Sequence, residues 1–217
     1  MVATDRLLAA TSGWSPAALM LGGSGILGLS IAGTLDTTGI ASSPVWLHAL
    51  LFLGGLWFVF VGLLGFYPHL ADVAPRLSLG GALTSALGGA ALTVGLVGSL
   101  AVALTSDVPF GEGPSWGPPL LLGAFVMALL SFLVYGVATV RSERPSRTVG
   151  LLLLVPVAGF LGQVVLLASK IATGDTLAAL QLVLAGVIAV AIIAVGHLLR
   201  GKYTADVSTE PPADASP

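Results

Sequence analysis

Six blocks of about twenty apolar residues follow one another along this chain, near residues 17–35, 45–66, 79–104, 118–140, 149–169 and 177–199. Each is close to the ~20 residues that an α-helix needs to cross a hydrocarbon core of ~30 Å. Lipid offers no partner to a backbone N–H or C=O, so an open chain can cross it only as helices. A barrel would show strands of ~10 residues with alternating polarity, and none of these blocks alternates. Composition agrees. Only 8% of the 217 residues are charged and 56% are hydrophobic, against ~25% charged in soluble domains. The chain cannot build a charged skin. The expected fold is an all-α polytopic membrane protein, a bundle of six transmembrane helices in one domain (residues 1–203), followed by a disordered acidic tail (204–217).

The interruptions carry the orientation. "SGWSP" precedes the first block, "TTGIASSP" the second, "SDVPFGEGPSWGPP" the fourth and "VRSERPSR" the fifth. Lys and Arg favour the cytoplasmic loops. With the N-terminus inside, Arg6, Arg76, Arg141, Arg144, Arg147, Arg200 and Lys202 are cytoplasmic, and only Lys170 is outside. Both termini are therefore expected in the cytoplasm and the protein in the cell membrane. Trp14, Trp46 and Trp116 fall at span ends, as an aromatic belt requires. Trp57 is mid-span and must pack on a neighbour or face lipid. A second reading makes the first span a cleaved signal sequence, with Arg6 as its basic region and Ser30–Ala32 as the small-residue cleavage site.

A short repeat suggests internal organisation. The odd spans close on "AGTLD", "ALTSD" and "IATGD", each a Thr-x-Asp at the outer edge. This predicts three stacked helical hairpins and places Asp36, Asp107, Asp175 and Glu112 on an outer rim. That rim reads either as a vestibule that concentrates cations or as ordinary loop and cap chemistry. Within the third span Gly81, Ser85, Gly88, Gly95 and Ser99 form a small-residue stripe. Such stripes let helices approach closely in lipid. The third span is expected at the centre of packing, met by Gly22, Gly25 and Gly28 of the first and Gly55 and Gly62 of the second. Pro156 removes a backbone hydrogen bond inside the fifth.

Several chemistries are excluded or left without support. With no Cys there is no disulfide, thiolate nucleophile or Cys-ligated metal. No basic stripe fits nucleic acid. No zinc motif, serine-hydrolase elbow or phosphate loop occurs. No metal and no cofactor is expected. A b-type haem needs two facing His at one depth, and the only pair that shares a leaflet is His69 and His197.

The densest polar cluster lies on the fifth and sixth spans, in "GQVVLLASKIATGDTLAALQ". Lys170 follows Gln163 by seven residues, on the same helix face. Asp175 caps the sixth helix and Gln181 follows about one turn into it. Lys170 is favoured at a helix C-terminus by the dipole and can reach water by snorkelling. Yet side chains tilt toward the helix N-terminus, which here means into the membrane and toward Gln163. An intramembrane charge is by default a functional hypothesis. Gln163, Lys170, Asp175 and Gln181 are the candidate ligand or ion site. The expected role is a non-enzymatic small subunit, scaffold or accessory factor, with the bilayer and other membrane subunits or a second copy as partners. The alternatives are a transporter or channel for a small solute or ion, and a haem or quinone redox protein.

Overall fold

The computed structural model describes residues 2–40, 42, 44–105, 117–169 and 175–208. Among the described residues there are seven helices and no strand: α1 (Val2–Thr37), α2 (Val45–Leu64), α3 (Tyr67–Leu70), α4 (Pro75–Thr105), α5 (Gly117–Ser142), α6 (Arg147–Ser169) and α7 (Asp175–Ser208). All but α3 are long and apolar enough to cross a membrane.

Local chemistry explains where these helices end. Glu143 adopts φ 56° just beyond α5, a left-handed residue of the kind that stops a helix. Ser146 then starts α6, its hydroxyl accepting from the Val149 N–H at 3.4 Å, as an N-cap does. The end of α2 is sealed from another helix. The Phe66 N–H turns to the Leu63 carbonyl, so the Gly62 carbonyl loses its regular helical partner. The buried Ser15 hydroxyl of α1 donates to it at 2.7 Å. Ser15 and Pro16 thus lie within α1, not in a break before it.

The long helices pack in chain order around a closed ring. α1 neighbours α2, α2 neighbours α4, and so on through α5, α6 and α7, which returns to α1. The hairpin partners α1–α2, α4–α5 and α6–α7 are adjacent, but α1 and α7 pack as extensively as any hairpin. Arg76, Arg141 and Arg147 lie at helix ends and Arg200 at the end of the sixth apolar span, all at one end of the bundle. At that end the ring is solid. Leu63, Phe66, Leu70, Tyr135, Val149, Leu153, Val195 and Leu199 are all buried in one cluster. The short α3 fits here, with Leu70 fully buried.

Glycine decides how closely neighbours approach. A Cβ at Gly25 would stand 2.9 Å from the Gly55 Cα, and one at Gly55 3.0 Å from the Gly22 carbonyl oxygen. Gly22, Gly25 and Gly55 therefore meet one another, and Gly62 meets Leu19 of α1; none of them meets the stripe on α4. Gly28, also expected at that stripe, faces the Leu51 side chain of α2. The α4 stripe instead receives large side chains. A Cβ at Gly81 would lie 2.6 Å from Tyr135 Cζ, and one at Gly88 would overlap the Phe60 ring. Gly95 is looser, with Leu121 at 3.4 Å. Nor is α4 the centre of the fold. It lies against α2 and α5, which also touch each other, and among the described residues it is the one long helix that contributes nothing to the lining of the central cavity. The stripe is correctly a packing surface, but a peripheral one. Small residues serve the outer helix as well as an inner one, because both must be approached by bulky neighbours.

Trp57 is 42% exposed and its ring meets Phe58 edge-on, so it faces outward. Trp14 is exposed as well. The side chain of Trp46, and Trp116, lie outside the described residues. So does the expected tail from residue 209, while α7 runs on to Ser208.

Candidate functional site

Away from the arginine-bearing end the ring does not fill its own centre. It surrounds a cavity of about 350 Å³ bounded by α1, α2, α5, α6 and α7. Its deep wall is made of Val59, Phe132, Pro156 and Ile192, all buried and continuous with the solid core. Its other end is bordered by half-buried or exposed residues, Leu29, Phe52, Phe125, Gln163 and Ala185. The cavity therefore opens toward the end of the bundle that is opposite the arginines.

Two features of α6 shape it. Pro156, Phe160 and Gln163 recur at four and three residues, so they share one helical face, and all three line the cavity. Phe160 meets Phe125 of α5 edge-to-face, with ring centroids 5.0 Å apart, a favoured aromatic geometry. Across from them, Gly159 lets α7 come close. A Cβ there would stand 2.8 Å from Ile188 Cδ1, and Ile188 is itself part of the lining.

Gln163 is the only polar residue among the described residues of this lining. Among the described residues its amide has no hydrogen-bond partner. An amide offers one acceptor oxygen and two donor hydrogens, and it is neither acid nor base near neutral pH. It can orient a molecule by hydrogen bonding without carrying out proton transfer.

The polar cluster expected on α6 and α7 is only partly assembled. Gln163 lines the cavity. Gln181 is half-buried on α7 and is not part of the lining, which begins one turn further along at Ala185. Lys170 and the side chain of Asp175 lie outside the described residues, as do Asp107 and Glu112. Of the four rim acids, Asp36 is described. It pairs with His48 of α2, Oδ2 to Nε2, at 3.0 Å. It ties α1 to α2 across their connection.

The two candidate haem ligands occupy different settings. His69 of α3 is half-buried and its ring stacks edge-on against Phe66. His197 of α7 is exposed. Neither lines the cavity. Among the described residues no group of three or more His, Cys, Asp or Glu could hold a metal ion.

Sequence reasoning missed the aromatic walls. Phe125, Phe132 and Phe160 look like ordinary span residues, and nothing marks them as facing inward. The one available signal was periodic: Phe125, Ala128 and Phe132 on α5, and Pro156, Phe160 and Gln163 on α6, each sit on one face. A second polar feature also escaped. The Ser85, Tyr135 and Thr139 hydroxyls are buried without a partner among the described residues, while the neighbouring Thr84 and Ser131 hydroxyls share a 2.8 Å bond between α4 and α5. Serine and threonine in a helix read as neutral filler until their neighbours are known.

Compared with family models, with curated proteins and with solved structures, this chain finds no match.

Proposed function

We propose that this is a non-enzymatic protein of the cell membrane, with both termini cytoplasmic, that holds a small molecule drawn from the bilayer inside its helical ring. One observation carries the proposal: a cavity of about 350 Å³ in which, among the described lining residues, a single amide, Gln163, stands in an otherwise apolar wall. That volume falls at the lower end of the ~300–1,000 Å³ typical of small-molecule sites, which are likewise apolar with a few polar groups. The arginine bias supports the orientation. It puts the closed end of the ring toward the cytoplasm and the cavity mouth toward the outer leaflet. An accessory or carrier role follows from such a site, since the amide can position a ligand and the wall can shield it. A permeation path for ions would need polar or charged groups along its length, and the apolar lining favours ligand holding over conduction.

The test is to isolate the protein in patches of its native membrane and identify small molecules bound at defined stoichiometry by native mass spectrometry. Ala185→Phe, which fills the cavity from α7, should remove the bound species while bulk phospholipid stays. Retention of the same species in the filled variant, or no stoichiometric species in the original protein, defeats the proposal.

A further inference from the structure

We infer that the occupant of the cavity is an uncharged amphiphile with one hydrogen-bonding head, a hydroxyl or carbonyl, bound at Gln163, and a compact hydrocarbon body of about a dozen carbons. This rests on the proposed ligand-holding role and adds the chemical class.

Size comes first. At ~30 Å³ for each water-sized group, a cavity of about 350 Å³ takes about a dozen. Shape follows from the lining of α6. Gln163 and Pro156 mark its two ends and are seven residues apart, which is ~10 Å at 1.5 Å rise per residue. A straight chain of a dozen carbons is longer than that. A body that stays within that length is bent, branched or ringed.

Charge comes next. Among the described residues, fourteen of the fifteen that line the cavity are apolar. An ionised head would lose its hydration and find no counter-charge among them, which is costly in a low-dielectric site. A head without any polar atom would gain no hydrogen bond from the half-buried Gln163 amide at the mouth. A single hydroxyl or carbonyl meets both conditions, because the amide can donate to it or accept from it.

Orientation agrees with the same class. Gln163 stands at the open end, six residues before the last residue of α6, Ser169. The deep end is closed by Phe132, Val59 and Ile192. A ligand with its head at Gln163 directs its tail toward the middle of the membrane, as an outer-leaflet lipid does. It can enter from that leaflet without turning over.

The experiment uses the full chain in phosphatidylcholine nanodiscs and four photoreactive probes. All share one branched body of a dozen carbons bearing a diazirine. They differ at the head, which is a hydroxyl, a hydrogen, a trimethylammonium or a sulfate. Irradiation is followed by peptide mapping of adducts. The alcohol should label α5 and α6 residues of the lining, and the two charged probes at least ten-fold less. Gln163→Leu should lower labelling by the alcohol at least five-fold and leave the headless probe unchanged. Ala185→Phe, with Ala128→Leu as a second filler should the first not fold, should suppress both. Equal labelling by charged and neutral heads, or an alcohol signal indifferent to Gln163→Leu, overturns the inference about class while filler-sensitive labelling leaves the ligand-holding role standing. Absence of cavity adducts from every probe overturns both.

Discussion

Two adjacent glycines in the middle of α2, Gly54 and Gly55, should respond in opposite directions to the same substitution. A Cβ at Gly54 would have nothing within 4 Å, whereas one at Gly55 would lie 3.0 Å from the Gly22 carbonyl oxygen and 3.2 Å from the Ile26 nitrogen. Both contacts at Gly55 are backbone atoms of α1. They cannot rotate away as a side chain can. Replacing Gly by Ala inside a helix gains ~0.5–1 kcal/mol at either position from reduced backbone freedom in the unfolded chain. Gly54→Ala keeps that gain. At Gly55 it is opposed by overpacking of ~1–3 kcal/mol, because α1 and α2 must separate along a face where Gly22 and Gly25 also touch. The helix-propensity gain is common to both variants, so their difference isolates the packing cost, ~1–3 kcal/mol. For a chain of this size ~1 kcal/mol moves Tm by ~2–4 °C, so the two variants should differ by roughly 2–12 °C. Thermal unfolding in one detergent, with denaturant titration as a check, measures it. Equal Tm values, or a Gly55→Ala protein more stable than Gly54→Ala, would remove the close α1–α2 approach from the account of this fold.

Gly88→Ala, which would overlap the Phe60 ring and come within 2.9 Å of the Met127 Cβ, should destabilise by ~1–3 kcal/mol; Gly95→Ala, at ordinary contact distance, should keep most of the ~0.5–1 kcal/mol helix gain, and the same unfolding assay ranks them. Ser15→Ala takes the hydroxyl from the Gly62 carbonyl and should cost ~1–2 kcal/mol, the penalty for a buried acceptor left unmet; a loss below about 0.3 kcal/mol would mean that the carbonyl finds another donor. Gln163→Leu should be neutral or stabilising by up to ~1 kcal/mol, since it removes from an apolar wall an amide without a partner among the described residues; a clear destabilisation would show that the amide supports the fold. Reporter fusions after Arg147 and Tyr203 should read cytoplasmic and one within residues 111–113 external; any reversal inverts the proposed orientation.

The six blocks, their helical state and the shared end of the arginines were legible in the chain because they depend on length and polarity alone. A segment of twenty apolar residues has one way to satisfy its backbone in lipid, whatever its neighbours do. The same reasoning located glycine-mediated packing in the first three spans and singled out Gln163 as a polar residue in the wrong place for filler. It could not choose partners. Gly22 and Gly25 fit Gly55 or the stripe on α4 equally well by composition, and only the closed ring, with α7 against α1 and α4 pushed to the outside, decided between them. The cavity is a property of that closure. Lipid-facing and cavity-facing residues are both apolar, so Phe125 and Phe160 carry no mark in the sequence that separates them from Trp57 and Leu122, which face outward. In water, polarity labels the two faces of a helix. In a membrane that label is missing, and the inside of the bundle becomes known only when the helices are placed.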